Sequence, residues 1–209
     1  VNRIVVIGGG GHAKVLISVL KRSGHDVAGY TDREDRGLIL GVPYLGDDRV
    51  LDRFVKQHPG CGAIIGMGKT DASDLRLRLQ DEVGALGFGF PAIYSPRAVV
   101  NEAVTLGAGT AVFDGVVVNS GTTVGRACIL NTSSIVEHDC RIGDNVHIAP
   151  GATLSGGVSI GDHCMVGVGA SIVQAVSVCM GCLIGAGSTV VEDLTERGTY
   201  AGNPARRIR

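Results

Sequence analysis

The chain has 209 residues, 33 of them glycine, with 44% hydrophobic and only 4% aromatic content, no Trp, and Val, Ile, Leu and Ala as its main apolar types. A formal net charge of −1 with no run of Lys or Arg excludes the electrostatic footprint of a nucleic-acid binder, and no apolar stretch approaches the ~20 residues a membrane span needs. The length suits two modest domains.

Arg3–Ile7 is a β-rich apolar run that leads straight into a glycine loop and not into a signal-peptide pattern, so a cytoplasmic protein is expected. After Gly8-Gly-Gly-Gly11 the segment His12–Lys21 has helical spacing. Val27–Thr31 reads as a second strand ending at Asp32, and Cys61–Ile65 as a further strand before Gly66. Asp47–Gln57 and Ala72–Val83 read as helices. Residues 1–90 thus form an α/β domain, a Rossmann-like parallel sheet with helices on its faces. Gly8-x-Gly10-x-x-Ala13, with Asp32 about 20 residues on, fits a phosphate-binding turn followed by a ribose-binding acid. Those features serve NAD and a nucleotide sugar equally; the shortness of the domain favours a mononucleotide-type ligand.

From Val100 to Val190 every sixth residue is Val, Leu or Ile. That period matches neither an amphipathic helix nor an alternating strand, and it predicts a hexapeptide β-helix over residues 91–209, three hexads to a coil and roughly five coils. Gly107, Gly125, Gly143 and Gly161 recur at one coil position, where a tight turn is expected. Cys128, Cys140, Cys164 and Cys182 fall four residues after a hexad aliphatic, which makes them core fillers. Cys179-x-x-Cys182 has no second pair beside it, and no metal site is expected. The N-terminal domain should cover one end of the solenoid; Gly202-Asn-Pro-Ala205 breaks the repeat, and Glu192–Arg209 should cover or leave the other.

An uninterrupted repeat of this kind resembles the left-handed β-helix acyltransferases. With Ile7-Gly-Gly-Gly-Gly-His12-Ala, Ile129-Leu-Asn-Thr-Ser-Ser134, Val136-Glu-His-Asp139, His147-Ile-Ala-Pro-Gly-Ala152 and Gly202-Asn-Pro-Ala205, it resembles more narrowly the sialic-acid O-acetyltransferase and bacillosamine-pathway N-acetyltransferase family. The resemblance implies a left-handed helix, a homotrimer, acetyl-CoA as co-substrate, and acetyl transfer to the 4-amino group of a UDP-type nucleotide-linked 4-amino-4,6-dideoxy sugar, feeding surface-glycan or glycoprotein assembly. Where the family carries asparagine after Ile65-Gly66, this chain has Met67-Gly68-Lys69.

Acyl transfer to an amine or hydroxyl needs a base near neutrality, and histidine supplies one. By resemblance His138 is that base and Asp139 its orienting partner, with Glu137 a rival for the second role. The resemblance gives acetyl-CoA contacts to His147, Gly156, Gly185, Asn203, Pro204 and Arg206, with Arg207 a further charge partner. It gives the nucleotide sugar Gly10, Gly11, His12, Asp32, Arg33 and Gly66. His147 lies half a coil beyond His138, on another wall, so histidines of adjacent subunits would converge in a trimer. His163 has no assigned role, and His25 and His58 read as surface loop residues. Two other readings remain at this stage: a sugar O-acetyltransferase, and a non-catalytic β-helix scaffold with a nucleotide-sensing domain.

Overall fold

The computed structural model describes residues 3–209. Strand β1 (Arg3–Ile7) is flanked by α1 (Gly11–Arg22), β2 (Asp26–Thr31), β3 (Tyr44–Gly46), α2 (Leu51–Gln57), β4 (Gly62–Ile65) and α3 (Leu75–Ala85). The four strands form one parallel sheet in the order β3-β2-β1-β4. Ile4–Ile7 are buried on both faces, the pattern of a central parallel strand. In α1, Ala13, Leu16, Ile17, Val19 and Leu20 form the buried stripe, while Lys21 and Arg22 in the last turn complement the helix dipole.

One strand and two helix starts depart from the sequence expectation, each for a local reason. Strand β3 is too short to show a period. Asp47 accepts a hydrogen bond from the Arg49 N–H and starts a 3-10 turn, so α2 begins at Leu51. Asp71 accepts from the Ser73 N–H and hydroxyl, which holds 71–73 in a turn and delays α3 to Leu75.

The rest is a left-handed parallel β-helix. It begins one hexad before Val100, with β5 (Ile93–Tyr94), and continues through two-residue strands from β6 (Val99–Val100) to β21 (Thr189–Val190), each ending on the hexad aliphatic residue. Strands pair in parallel one coil apart, as in Ile129↔His147 and Ile135↔Thr153. They make three walls: the first runs through β5, β8, β11, β14, β17 and β20, the second through β6 to β21, and the third through β7 to β19. From Val112 to Val190 the hexad residues are buried inside the prism, each contributing about 1.5–3 kcal/mol. Cys128, Cys140, Cys164 and Cys182 fill gaps between them, and burial pushes the Cys128 thiol up to about 12. Cys179 Sγ lies 3.5 Å from Cys182 Sγ, and both thiols are free.

The corners require correction. Gly107, Gly125, Gly143 and Gly161 do not have positive φ; they are needed because the next coil lies against them. A Cβ on Gly143 would lie 2.3 Å from Asp162 Oδ1, and one on Gly161 2.5 Å from the Met180 nitrogen. The left-handed residue comes two positions later in each corner, as in Gly121, Ala127, Ser133, Asp139, Asn145, His163 and Gly187.

The N-terminal unit packs on the outer face of the first wall instead of closing an end. Ile93, Ala111, Phe113 and Ile129 join a core with Ile4, Val6, α1 and Ile64. Polar contacts complete this junction: Arg22–Asp114 at 2.6 Å, Arg126–Asp81 at 3.0 Å, and Gln80 Nε2 donating to the Ala108 carbonyl at 3.0 Å. At the far end β22 (Thr199–Gly202) extends the first wall and turns back as β23 (Ala205–Arg207), with Leu194, Tyr200 and Ala205 closing the core.

Candidate active site

The C-terminal edge of the parallel sheet opens into a cavity of about 590 Å³ whose lining residues all belong to the N-terminal unit. Gly10, Gly11, His12, Asp32, Arg33 and Gly66 line it, as does Met67 at the family's asparagine position, and so do Asp48, Leu75 and Leu79, which no sequence motif marks. The glycines here have distinct reasons. Gly9 passes so close to Tyr30 that a Cβ would lie 2.6 Å from its ring, and a Cβ on Gly66 would lie 2.8 Å from the Gly8 carbonyl oxygen. At Gly10 and Gly11 a Cβ would meet nothing within 4 Å, so there the backbone faces open space. Helix α1 starts from Gly10 with neither a side-chain cap nor an acid in its first turn, which leaves its N–H groups and positive dipole end for an anion.

Asp32 accepts hydrogen bonds from the Gly9 N–H at 2.7 Å and the Glu34 N–H at 3.3 Å. Burial works against its charge, but those donors and Arg36 outweigh it and hold the carboxyl below its usual range. His12 packs edge-on against Phe113, ring centroids 5.3 Å apart. Burial, aided by Arg76 and His147, drives it down to about 3, and its Nε2 is buried without a partner. Arg76 is itself buried, donating to the Met67, Ile65 and Ala127 carbonyls, and burial lowers it to about 10.

The second group of predicted residues stands at the corner between the second and third walls. Asp139, at φ 59°, turns its carboxylate back so that His138 Nδ1 donates to Oδ2 at 2.8 Å. That contact places the ring's lone pair on Nε2. Gly156, one coil on, is the floor under the ring: a Cβ there would lie 2.6 Å from Nε2. Glu137 instead accepts from Asn119 Nδ2 at 2.8 Å, at the end of a ladder that continues to Asn101. Within the chain Asp139, not Glu137, is the carboxylate bonded to His138.

His147 is on the first wall, beneath the N-terminal unit. Its Nδ1 donates to the Lys69 carbonyl at 2.7 Å, so Nε2 accepts from Asn131 Nδ2 at 3.1 Å, and burial keeps its pKa below the usual value. At the last coil Gly185 is crowded by Ala201 and Tyr200, and Asn203 and Pro204 are exposed in the β22–β23 turn. Arg206 pairs with Glu192 at 3.0 Å and Arg207 with Glu196 at 2.7 Å. His163 Nδ1 accepts from Asn145, and His25 and His58 are half-buried, not free surface residues. Among the described residues no cluster of His, Cys, Asp or Glu is placed to hold a metal ion, and no helix is long and apolar enough to cross a membrane.

Comparison with known proteins decides the family. The PglD N-terminal domain description matches residues 3–82, and the bacterial transferase hexapeptide (six repeats) description matches residues 121–156. The structure of PerB from Caulobacter crescentus, in complex with CoA and GDP-perosamine, superposes with a TM-score of 0.92 at 38% identity, covering 99% of this chain and 97% of that one. This chain belongs to the hexapeptide acetyltransferases with a PglD-type N-terminal domain. The acetyltransferase domain of PglB from Neisseria gonorrhoeae is also similar, with a TM-score of 0.93, 32% identity and complete coverage of both chains. WeeI from Acinetobacter baumannii follows at 0.87 and 27% identity, covering 98% of this chain and 99% of its own. A search of curated proteins gives no match. As a hexapeptide acetyltransferase of this family, the chain is an acyltransferase enzyme.

Proposed function

We propose that the protein transfers the acetyl group of acetyl-CoA to the 4-amino group of a nucleotide-linked 4-amino-4,6-dideoxy sugar. The observation that carries this is His138: one ring nitrogen tied to Asp139, the other open above Gly156. In support, the relatives include a perosamine N-acetyltransferase solved with CoA and GDP-perosamine and a PglB acetyltransferase domain solved with acetyl coenzyme A.

The α1 N-terminus receives the diphosphate and Asp32 a ribose hydroxyl, which directs the sugar toward His12 and the mouth of the cavity. The neutral amine attacks the thioester carbonyl, a C–N bond forms, and the C–S bond breaks. His138 Nε2 takes the proton shed by nitrogen and returns it to the leaving CoA sulfur, while Asp139 stabilises the imidazolium between the two steps. His147, Gly156 and Gly185, with Asn203, Pro204 and Arg206 at the far coil, serve the CoA side.

Within one chain the cavity and His138 belong to different faces of the molecule: the cavity sits over the first wall, and His138 at the opposite corner. A symmetric trimer, in which one subunit's His138 faces a neighbour's cavity, completes the site. The test is release of CoA thiol from acetyl-CoA with GDP- and UDP-linked 4-amino sugars. Turnover that requires the nucleotide-linked amine supports the reading; equal turnover with a free sugar or a hydroxyl acceptor overturns it.

A further inference from the structure

The cavity has a third zone, next to the ends of β2 and β3, that neither the phosphate nor the ribose contacts use. Asp48 lines it, and the fully buried Thr31 hydroxyl donates to Asp48 Oδ1 at 2.5 Å, which fixes the carboxylate in place. Arg33, two residues beyond Thr31, lines the same cavity and is exposed. Among the described residues neither Asp48 nor Arg33 forms an ion pair, although acids and bases elsewhere on this edge do, as in Arg49–Asp47 and Arg36–Asp32. The α3 side of the cavity is apolar: Leu75 and Leu79 line it, and Leu75 is left 49% exposed. An oriented carboxylate without a counter-ion, a free guanidinium and an apolar platform fit a flat heterocycle that offers donors on one edge and acceptors on the next.

We propose that this zone is the nucleobase subsite and that it reads guanine, in place of the uracil implied by the family resemblance. The inference rests on the nucleotide-sugar reading above. Among the common bases, guanine is the one with two adjacent donors, N1–H and the N2 amino group, which a single carboxylate accepts together; its O6 and N7 form the acceptor pair that an arginine fork matches. Uracil presents one N–H between two carbonyls, so a carboxylate facing it meets an acceptor on either side. Adenine and cytosine each place a donor beside an acceptor and gain only half the contact. Engagement by Thr31 leaves Asp48 able to do this, because a carboxylate has about four acceptor positions. The bases then stack against Leu75 and Leu79.

Calorimetric titration with GDP, IDP and UDP tests the assignment. GDP should bind about ten- to a hundredfold more tightly than UDP, and IDP, which lacks the N2 donor, should fall between them. Asp48→Asn keeps an oxygen for the Thr31 hydroxyl but turns an amide donor toward the base. It should weaken GDP by about ten- to a hundredfold, erase the difference between GDP and IDP, and leave UDP no weaker, since an amide donor suits a uracil carbonyl. Arg33→Gln should weaken GDP and IDP alike, since both retain O6 and N7, whereas Asp32→Asn should weaken all three nucleotides through the ribose. UDP binding as tightly as GDP, or an Asp48→Asn variant that loses both equally, overturns the guanine assignment and leaves the nucleotide-sugar reading standing. A folded wild-type protein that binds none of the three overturns both.

Discussion

At the scale of single residues, two histidines of the proposed site sit in opposite surroundings. His138 is exposed and oriented by a carboxylate on the adjoining residue, at a left-handed corner position that asparagine, aspartate and glycine tolerate best. His138→Ala should lower kcat by about 10²–10⁴-fold with little change in either substrate's KM, and Asp139→Asn should cost less, because the ring keeps its reach. Steady-state kinetics with both substrates varied checks this; loss confined to KM would show that the ring binds and does not transfer protons. His12 is buried, and its folded-state pKa of about 3 lies well below the ordinary histidine value of 6.5. The unfolded chain therefore binds the extra proton first. Stability is complete above about pH 6.5 and is lost as pH falls toward 3, by about 2 kcal/mol at pH 5. Urea unfolding at pH 7.5 and 5 should show wild type losing about that much more than His12→Gln. These roles differ in how far they show in the sequence. His138 lies in a recognisable Val136-Glu-His-Asp139 string, but nothing in the string says that Asp139 and not Glu137 meets the ring; the left-handed backbone at Asp139 decides it. Asp48 carries no sequence signal at all, because its importance comes from the buried Thr31 hydroxyl that holds it.

At the scale of elements, the hexad period was readable because each coil repeats the same environment for the same side chain, from Val112 to Val190, with the cysteines in the gaps. The strand–glycine–helix opening was readable for a similar reason: its constraints are local. What the period hid was why the corners need small residues. Gly187 has φ 65° and open space where a Cβ would go, whereas Gly143 has an ordinary φ and a neighbouring coil within 2.3 Å. Conformational reasoning alone ranks Gly187 as the more sensitive. The contacts reverse that order: Gly187→Ala should cost about 1–2 kcal/mol, the price of one left-handed alanine, and Gly143→Ala distinctly more, since coil spacing must yield. Alanine already occupies the equivalent of Gly187 at Ala127 and Ala175. Chemical denaturation of the two variants decides between the rankings. Short strand β3 and the delayed start of α3 were not readable, because three-residue elements and side-chain turns leave no periodic trace.

At the scale of the whole molecule, the walls of the β-helix have different surfaces. The first is covered by the N-terminal unit; outward positions of the third are Thr105, Thr123, Arg141, Ser159 and Ser177; those of the second begin with Val99, Val117 and Ile135. The second is apolar over these first three coils, before Thr153, Ser171 and Thr189, and Val99 is 50% exposed. It is the face expected at the centre of the proposed trimer. Light scattering should give three chains per particle, and Ile135→Glu should yield monomers that retain nucleotide binding but lose turnover, since the cavity would no longer face a neighbour's His138. A monomeric wild type with full activity would exclude the shared site. The pairing of each strand with the one a full coil away has a further effect on how such a chain can change length. Removing a single hexad from the middle, say 149–154, would shift every later strand by a third of a turn, carrying the terminal hairpin from the first wall to another. Its arginines would then close the wrong side of the prism. Removing a complete circuit leaves each downstream side chain on its own wall and merely shortens the distance from His138 to the end. Insertions and losses in this protein are therefore quantised: the solenoid can lengthen or shorten only by whole rungs, and the separation between His138 and the far tip moves in the same steps.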